Sequence, residues 1–487
     1  MKALRTAAGC PCVAVLVLVS VAGLLGCAAS DGRRTEQPEE RTLVFTHVTV
    51  IDATGAPPAD DRTVVVAGEK IQSVARSGEV SVPENATVVD ATGKFLIPGL
   101  WDMHVHTRYQ GIDFFGLFLA NGITAVRDMG GPWKQFEKLK RARSDVDEQS
   151  APVPRIVAAG RLLAGPGSPW SHAAIVEGPE EGRELVRRLK DEGADLVKVS
   201  SLLSRDTFFA ILDEAKRQGL PFGGHVPGAV SAAEASDAGQ RTIEHLSGVL
   251  LGCSREEESL RQRWHDSGSR PDGSTLLETY DEEKASSLID RFVANETWHV
   301  PTLASAWTRL RARGGDARVT ASERLDYLPA GYRQATSLGA PSRPGALELQ
   351  QRVLEKQLEL VGQMHAAGVK LLAGTDTYKP FLVPGFSLHD ELALLVKAGL
   401  TPLEALQTAT RNPAEHLGLS DLGTVEAGKL ADLVLLDANP LEDIGNTMQI
   451  AAVVWRGRIL DRSALEALRD EAREAARNRN GEPTSIP

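Results

Sequence analysis

Between residues 98 and 417, short apolar runs alternate with longer stretches whose apolar positions recur every three or four residues. The runs lie at 123–126, 156–159, 196–199, 222–224, 242–243, 300–303 and 369–373, and short apolar runs of this kind suit strands buried on both faces. Between residues 347 and 367, Leu354, Leu358, Val361 and Met364 repeat at close to 3.6 residues, the inward stripe of a helix. Strand and helix alternating at this count predict an α/β fold, a parallel (β/α)8 TIM-like barrel, with any active site at the C-terminal ends of its strands. An open doubly wound sheet is the competing architecture, but no Gly-rich phosphate loop follows the early strands.

Two flanking regions have a different rhythm. Short β-rich runs at 43–51, 63–67, 71–75 and 87–90 are separated by turn residues such as Gly55, Pro57, Pro58, Gly68 and Gly78. A second β-rich patch lies at 432–436 and 451–460. The pattern predicts one small β-sandwich built from both chain ends, residues 43–97 plus 418–462, around a barrel at 98–417. Residues 253–342 are polar and uneven apart from the run at Val300, which predicts a cover or mobile insertion. Residues 463–477 read as a charged helix and 480–487 as a disordered tail, so 463–487 forms a C-terminal appendage. No internal repeat is evident.

The N-terminus bears on location. Lys2 and Arg5 precede an apolar run at 13–25 that is too short for a comfortable membrane span and suits the core of a secretory signal. The run ends in Leu24-Leu25-Gly26-Cys27, which resembles the bacterial lipobox. That resemblance implies removal of residues 1–26, lipidation of Cys27, a polar tether over 27–42, and a lipid anchor holding the protein to a membrane on its periplasmic side. Ala28 after the Cys, in place of Asp, is similar to the outer-membrane signal of Gram-negative cells. Cys10 and Cys12 would leave with the signal, and the remaining Cys253 has no Cys/His pairing motif around it, so it stays outside the candidate site.

Composition narrows the partners. The chain has 487 residues, 42% apolar and 24% charged, values of an ordinary folded protein large enough for a main domain and a smaller one. Its formal net charge of -11 argues against nucleic acid, whose binding relies on Lys and Arg neutralising phosphates. A small-molecule or short-peptide substrate fits better, and a homo-oligomer stays open.

The chemistry is concentrated in Pro98-Gly99-Leu100-Trp101-Asp102-Met103-His104-Val105-His106. Residues two apart on a strand point the same way, so His104 and His106 can offer two imidazoles to one ion. His225 follows the run at 222–224, His245 follows Thr242-Ile243-Glu244, and Asp376 ends Ala373-Gly374-Thr375-Asp376. A His-x-His pair alone arises by chance. Five metal-competent side chains at the ends of four candidate strands are far more specific, and the mixed imidazole and carboxylate set suits zinc or a similar divalent ion.

The order His-x-His, Lys, His, His, Asp, with the late run Gly423-Thr424-Val425-Glu426-Ala427-Gly428-Lys429-Leu430-Ala431-Asp432-Leu433-Val434, resembles the metal-dependent amidohydrolase superfamily. It is most similar to the imidazolonepropionase-like and prolidase-like branch, over residues 43–460. The resemblance implies a carbamate, formed from carbon dioxide, on Lys198 in Asp195-Leu196-Val197-Lys198-Val199. It also implies two divalent ions, zinc by expectation, with His104, His106 and Asp376 on one, His225 and His245 on the other, and Lys198 on both. A metal-bridging hydroxide would attack an amide, and Asp376 would carry the proton to the leaving amine.

Dipeptides or N-acyl amino acids are the expected substrates. The alternatives are a mononuclear deaminase or cyclic-imide or lactone hydrolase on the same barrel, and a non-catalytic surface-binding lipoprotein. Arg127, Arg161 and Lys379 lie at or just beyond strand ends as candidates for a substrate carboxylate, and His172 as a further substrate contact. Arg127 and Asp128, in a run that resembles a recurrent Arg-Asp-x-Gly-Gly of that branch, are expected to support the metal ligands or to hold a substrate carboxylate, with a structural ion pair as the other reading, and His389 is expected to be supporting or structural. A Tyr common after the fifth-strand His in prolidase-like relatives is replaced by Val226-Pro227-Gly228, which speaks against proline-specific dipeptides.

Overall fold

The structure, a computed structural model, describes residues 41–109, 112–144, 152–170, 172–267, 269–334 and 344–478. The expected signal, Cys27 and the tail at 480–487 lie outside the described residues.

Parallel strands Leu100–Val105, Ile123–Asp128 and Arg155–Ala158 pair in order, and so do Val197–Val199, Phe222–Gly224, Thr242–Glu244 and Trp298–Val300. The two groups are joined where Asp195 N donates to Ala158 O at 2.9 Å, and where Leu162–Ala164 pairs with Val197–Val199. The ring closes through the stretch 371–377, which bridges His299 at Leu371 on one side and Val105 at Thr377 on the other. Met103 N donates to Ala373 O at 2.9 Å across that seam. With this last stretch there are eight staves, and the architecture is a (β/α)8 barrel. Its lumen is filled by Trp101, Met103, Ala125, Trp298, Val300 and Leu372.

Outer helices form where the 3.6-residue stripe is strong. Arg205–Gln218 starts at Ser204, whose hydroxyl accepts from Thr207 N, and ends at Gly219 with φ 65°, where the left-handed turn favours glycine. It buries Phe208, Ile211, Leu212 and Ala215 against the barrel, and each large apolar side chain so buried is worth about 1.5–3 kcal/mol. Ala346–Ala366 buries Leu354, Leu358, Val361 and Met364, the stripe read from the sequence.

Three local expectations need correction. The run at 300–303 is one strand, Trp298–Val300, followed by a helix, Leu303–Arg313, because Pro301 has no N–H for a ladder and Thr302 turns left-handed at φ 50°. The run at 369–373 forms a single bridge at Leu371 rather than a strand, with a second single bridge beyond it at Thr377, and Asp376 is left-handed at φ 61°. Within 253–342 the described residues are largely helical, including Glu257–Ser267, Glu282–Ala294 and Leu303–Arg313. The last of these carry their own buried faces, Ala285, Leu288, Ile289 and Phe292 in one and Leu303, Ala304 and Leu310 in the other, so this region is part of the packed barrel wall.

Strands from both chain ends form one eight-stranded sheet, in which Leu433–Leu436 runs antiparallel to Phe95–Pro98. Thr42–Val50 pairs with Ala59–Ala67 on one edge and with Thr87–Asp90 and Phe95–Pro98 on the other. The far strand, Lys70–Arg76, returns to the stretch before Leu433: Ile71 N donates to Lys429 O, and Ala431 N to Glu69 O, each at 2.8 Å. The sheet therefore curls over a core of Phe45, Val64, Val66, Ile71, Leu433 and Val454. The closing helix Arg462–Asn478 buries Leu465, Leu468, Ala472 and Ala476.

Candidate metal centre

Four histidines converge at the C-terminal end of the barrel, and each has its Nδ1 engaged by the framework. His104 Nδ1–H donates to Glu244 Oε2 at 2.6 Å, and His106 Nδ1–H to Gly130 O at 3.0 Å. His225 Nδ1 lies 2.7 Å from Ser201 Oγ, and His245 Nδ1 lies 2.7 Å from Thr302 Oγ1. Tying one ring nitrogen to the scaffold fixes tautomer and orientation, and leaves Nε2 as the donor for an ion. Ring centroids are 5.7 Å apart for His104 and His106, 4.5 Å for His104 and His245, and 5.0 Å for His225 and His245. Burial, reinforced by the nearby Lys198 charge, pushes His104 and His225 far below the usual imidazole range, and burial does the same to His245. The rings of His104, His225 and His245 are therefore neutral, the form that binds metal.

Asp376 stands among them, its Oδ1 3.6 Å from the Nε2 of both His104 and His106 and its Oδ2 3.7 Å from His245 Nδ1. Ligand atoms of His104, His245 and Asp376 all lie within 4.8 Å of one another, close enough for one ion to reach all three. The left-handed backbone of Asp376 is held by its neighbour. Asp102 Oδ2 accepts from Thr375 Oγ1 at 2.7 Å, and Asp102 Oδ1 accepts from Thr375 N at 3.0 Å and His104 N at 3.2 Å. Burial alone would raise the Asp376 pKa, but the Lys379 ammonium beside it holds it well below the ordinary carboxylate range.

Lys198 emerges from the strand Val197–Val199 with its side chain buried, and its Nζ finds no hydrogen-bond partner among the described residues. Burial brings its pKa down to about 8. An orphaned amine buried beside three neutral imidazoles and a carboxylate is costly on its own. The donor set of imidazoles and a carboxylate fits a divalent ion.

The chain matches the amidohydrolase family model over residues 95–460. This protein belongs to the amidohydrolase family. It is 25% identical to a dihydroorotase of Pelotomaculum thermopropionicum, covering 85% of this chain and 93% of that one, and 28% identical to an imidazolonepropionase of Anaeromyxobacter sp., covering 84% and 92%. Among solved structures it is similar to a bottromycin amidohydrolase, with TM-score 0.66, 26% identity and 91% of each chain covered. A putative prolidase from Bifidobacterium longum has TM-score 0.62 and 26% identity, covering 89% of this chain and 100% of that one. Membership makes this chain a hydrolase acting on carbon–nitrogen bonds.

The other candidates of this amidohydrolase separate sharply. Arg127 does not face substrate: it is fully buried, with Nε donating to Met103 O at 2.7 Å and Nη2 to Glu244 Oε1 at 2.8 Å. It does not pair with Asp128 either. Asp128 accepts from Thr107 N and Oγ1 at 2.8 and 2.7 Å and from Gly130 N at 2.9 Å, which sets the carbonyl that receives His106. Lys379 is likewise no free cation, because its Nζ pairs with Asp376 Oδ2. Arg161 is half-buried and donates to Ala173 O at 2.9 Å. His172 lies beside Trp170 with ring centroids 5.9 Å apart and the planes tilted by 54°, and burial, with the neighbouring His106 and Arg161, lowers its pKa to about 4. His389 is structural, its Nδ1 2.9 Å from Thr447 Oγ1 and its Nε2 3.1 Å from Asn121 O. Cys253 is a buried free thiol.

Sequence reasoning passed over Glu244 and Asp102. The signal was present: a carboxylate inside each of the apolar runs Thr242-Ile243-Glu244 and Leu100-Trp101-Asp102 has no solvated place, so it must answer a buried partner.

Proposed function

We propose that this amidohydrolase is a binuclear enzyme that cleaves amide bonds of dipeptides or N-acyl amino acids. The observation that carries the proposal is the orphaned Lys198 amine beside four framework-locked histidines and Asp376. His104, His106 and Asp376 would hold one ion, His225 and His245 a second, zinc by the chemistry of the set, with Lys198 shared. Divalent ions bound there supply Lewis acidity toward the scissile carbonyl and make water acidic enough to attack at neutral pH.

Lys198 would become a suitable shared ligand once its neutral amine adds to carbon dioxide: the N–C bond forms as one C–O π bond opens onto oxygen, one proton leaves the nitrogen, and the neutral amine becomes an anionic carbamate. An ammonium must first give up one further proton, which burial favours. Asp376, kept ionised by Lys379, takes the proton of the attacking water and returns it to the departing amine. Glu244 and Asp102 keep His104 and the Asp376 turn in place through that transfer.

A one-metal site is the competing reading, favoured by the close trio of His104, His245 and Asp376. Such a site has no need of Lys198. The test is a screen of purified, metal-loaded enzyme against dipeptides, N-acyl amino acids, their amidated counterparts, lactones and cyclic ureides. Hydrolysis of the first two classes supports the proposal, and activity confined to lactones or ureides overturns it.

The reading includes a location. Cys27 would carry the lipid that fixes the enzyme to the periplasmic side of the outer membrane, where short peptides are accessible. No helix among the described residues is long and apolar enough to cross a membrane. Cys27→Ser should release the protein into the soluble fraction of lysed cells, and unchanged membrane recovery would refute the anchor.

A further inference from the structure

Thr302 occupies the N-cap position of the helix Leu303–Arg313, where a threonine hydroxyl ordinarily accepts from a backbone amide of the first turn. Here it makes no such bond. Its backbone is left-handed at φ 50°, and its Oγ1 is 2.7 Å from His245 Nδ1. The orphaned amides of that helix are served from another element. Glu391, on the helix Phe386–Lys397, is fully buried and accepts from Ala304 N at 2.6 Å, with the amides of Leu303 and Thr302 also directed at its carboxyl. Its second oxygen, Oε1, finds no partner among the described residues. A buried carboxyl so incompletely satisfied is expensive for stability, and an ordinary Ser, Thr or Asp cap at position 302 would make it unnecessary.

We infer that Glu391 is a positioning residue for the metal centre: by capping the helix Leu303–Arg313 in place of Thr302, it frees the Thr302 hydroxyl to orient His245. The inference rests on the proposed role of His245 as a ligand, but its first consequence concerns the imidazole itself. Without an acceptor at 391, the amides of the first turn and the His245 ring compete for one hydroxyl. The hydroxyl then turns toward the amides, and His245 loses the contact that sets its tautomer.

The experiment compares Glu391→Ala, Glu391→Gln and Thr302→Val in metal-stripped and zinc-titrated protein. The imidazole nitrogens are read by proton–nitrogen spectra of histidine-labelled protein, with the His245 signal assigned by its loss in His245→Gln. Glu391→Ala and Thr302→Val should each abolish the hydrogen-bonded Nδ1–H pattern of His245 and weaken zinc binding about tenfold to a hundredfold, the usual cost of losing a support behind a ligand. The double variant should be no worse than either single one. Glu391→Gln keeps an acceptor of the same shape and should retain the wild-type spectrum and affinity. If Glu391→Ala fails to fold, Glu391→Asp, which withdraws the acceptor by one methylene, takes its place with the same expected loss. A variant lacking the acceptor that is less stable but keeps the His245 spectrum and zinc affinity would overturn the inference. A normal spectral response in an enzyme that binds no zinc would leave the Glu391 link standing and sink the metal reading instead.

Discussion

Replacing Arg127 by Met tests whether the site depends on a buried ion pair behind His104. Arg127 Nη2 is 2.8 Å from Glu244 Oε1, and the two side chains are 1% and 0% exposed. Burial alone would raise the Glu244 pKa, but Arg127 and Lys198 hold it below its ordinary value, so both partners are charged. Removing one member of such a pair leaves a buried charge without its counterion and costs about 3–5 kcal/mol. Arg127→Met also withdraws the donor to Met103 O. Neutralising the partner as well, in Arg127→Met/Glu244→Gln, removes the orphan charge while leaving an oxygen for His104 Nδ1–H. The double variant should therefore be more stable than Arg127→Met, with a coupling of about 2 kcal/mol or more. Urea unfolding of metal-stripped protein at neutral pH measures each corner of the cycle. A cost below about 1 kcal/mol for Arg127→Met, or additivity within about 0.5 kcal/mol, would refute the reasoning.

Other consequences are simpler to state. A Cβ on Gly374 would lie 2.6 Å from Val300 Cγ1 and 2.9 Å from both His104 Cβ and His104 N, so Gly374→Ala should displace His104 and cut activity at least tenfold with metal content reduced; unchanged kinetics would contradict the packing. His389 is buried, and burial lowers its pKa from 6.5 to about 4. A basic group with a depressed folded pKa contributes stability that is present above its unfolded pKa of 6.5 and is lost as pH falls toward 4. The loss is on the order of 3 kcal/mol, and His389→Gln should flatten that part of the pH–stability curve. A curve of unchanged slope in the variant would assign the acid sensitivity elsewhere.

The barrel was legible because its staves are apolar on both faces and bounded by turns, which makes them short uninterrupted runs such as Phe222–Gly224. The eighth stave was harder to delimit, because it pairs only through single bridges and its backbone turns left-handed at Asp376 as soon as the run ends. Residues 253–342 misled because Glu257–Ser267 is dominated by charged and polar residues, and its helical period is weak. At the site, His104, His106, Lys198, His225, His245 and Asp376 could be read in advance because a polar side chain at the end of an apolar run has few other uses. The supports were legible only in part: Arg127 and Asp128 were open to a supporting role, but their partners were not. Whether Arg127 meets a substrate carboxylate or Glu244, 117 residues away in sequence, depends on which strands close the barrel beside it. Lys379 looked free for the same reason, since its partner Asp376 was already assigned to metal.

The central claim, a two-metal centre organised around Lys198, is tested most directly by counting metal per chain. Wild-type protein and Lys198→Ala would be reconstituted with zinc in the presence of bicarbonate, freed of excess ion and measured by mass spectrometry. The account predicts two equivalents for the wild type and one or fewer for Lys198→Ala, with partial recovery when a short carboxylate is added. One equivalent in both proteins, or two in both, would contradict it.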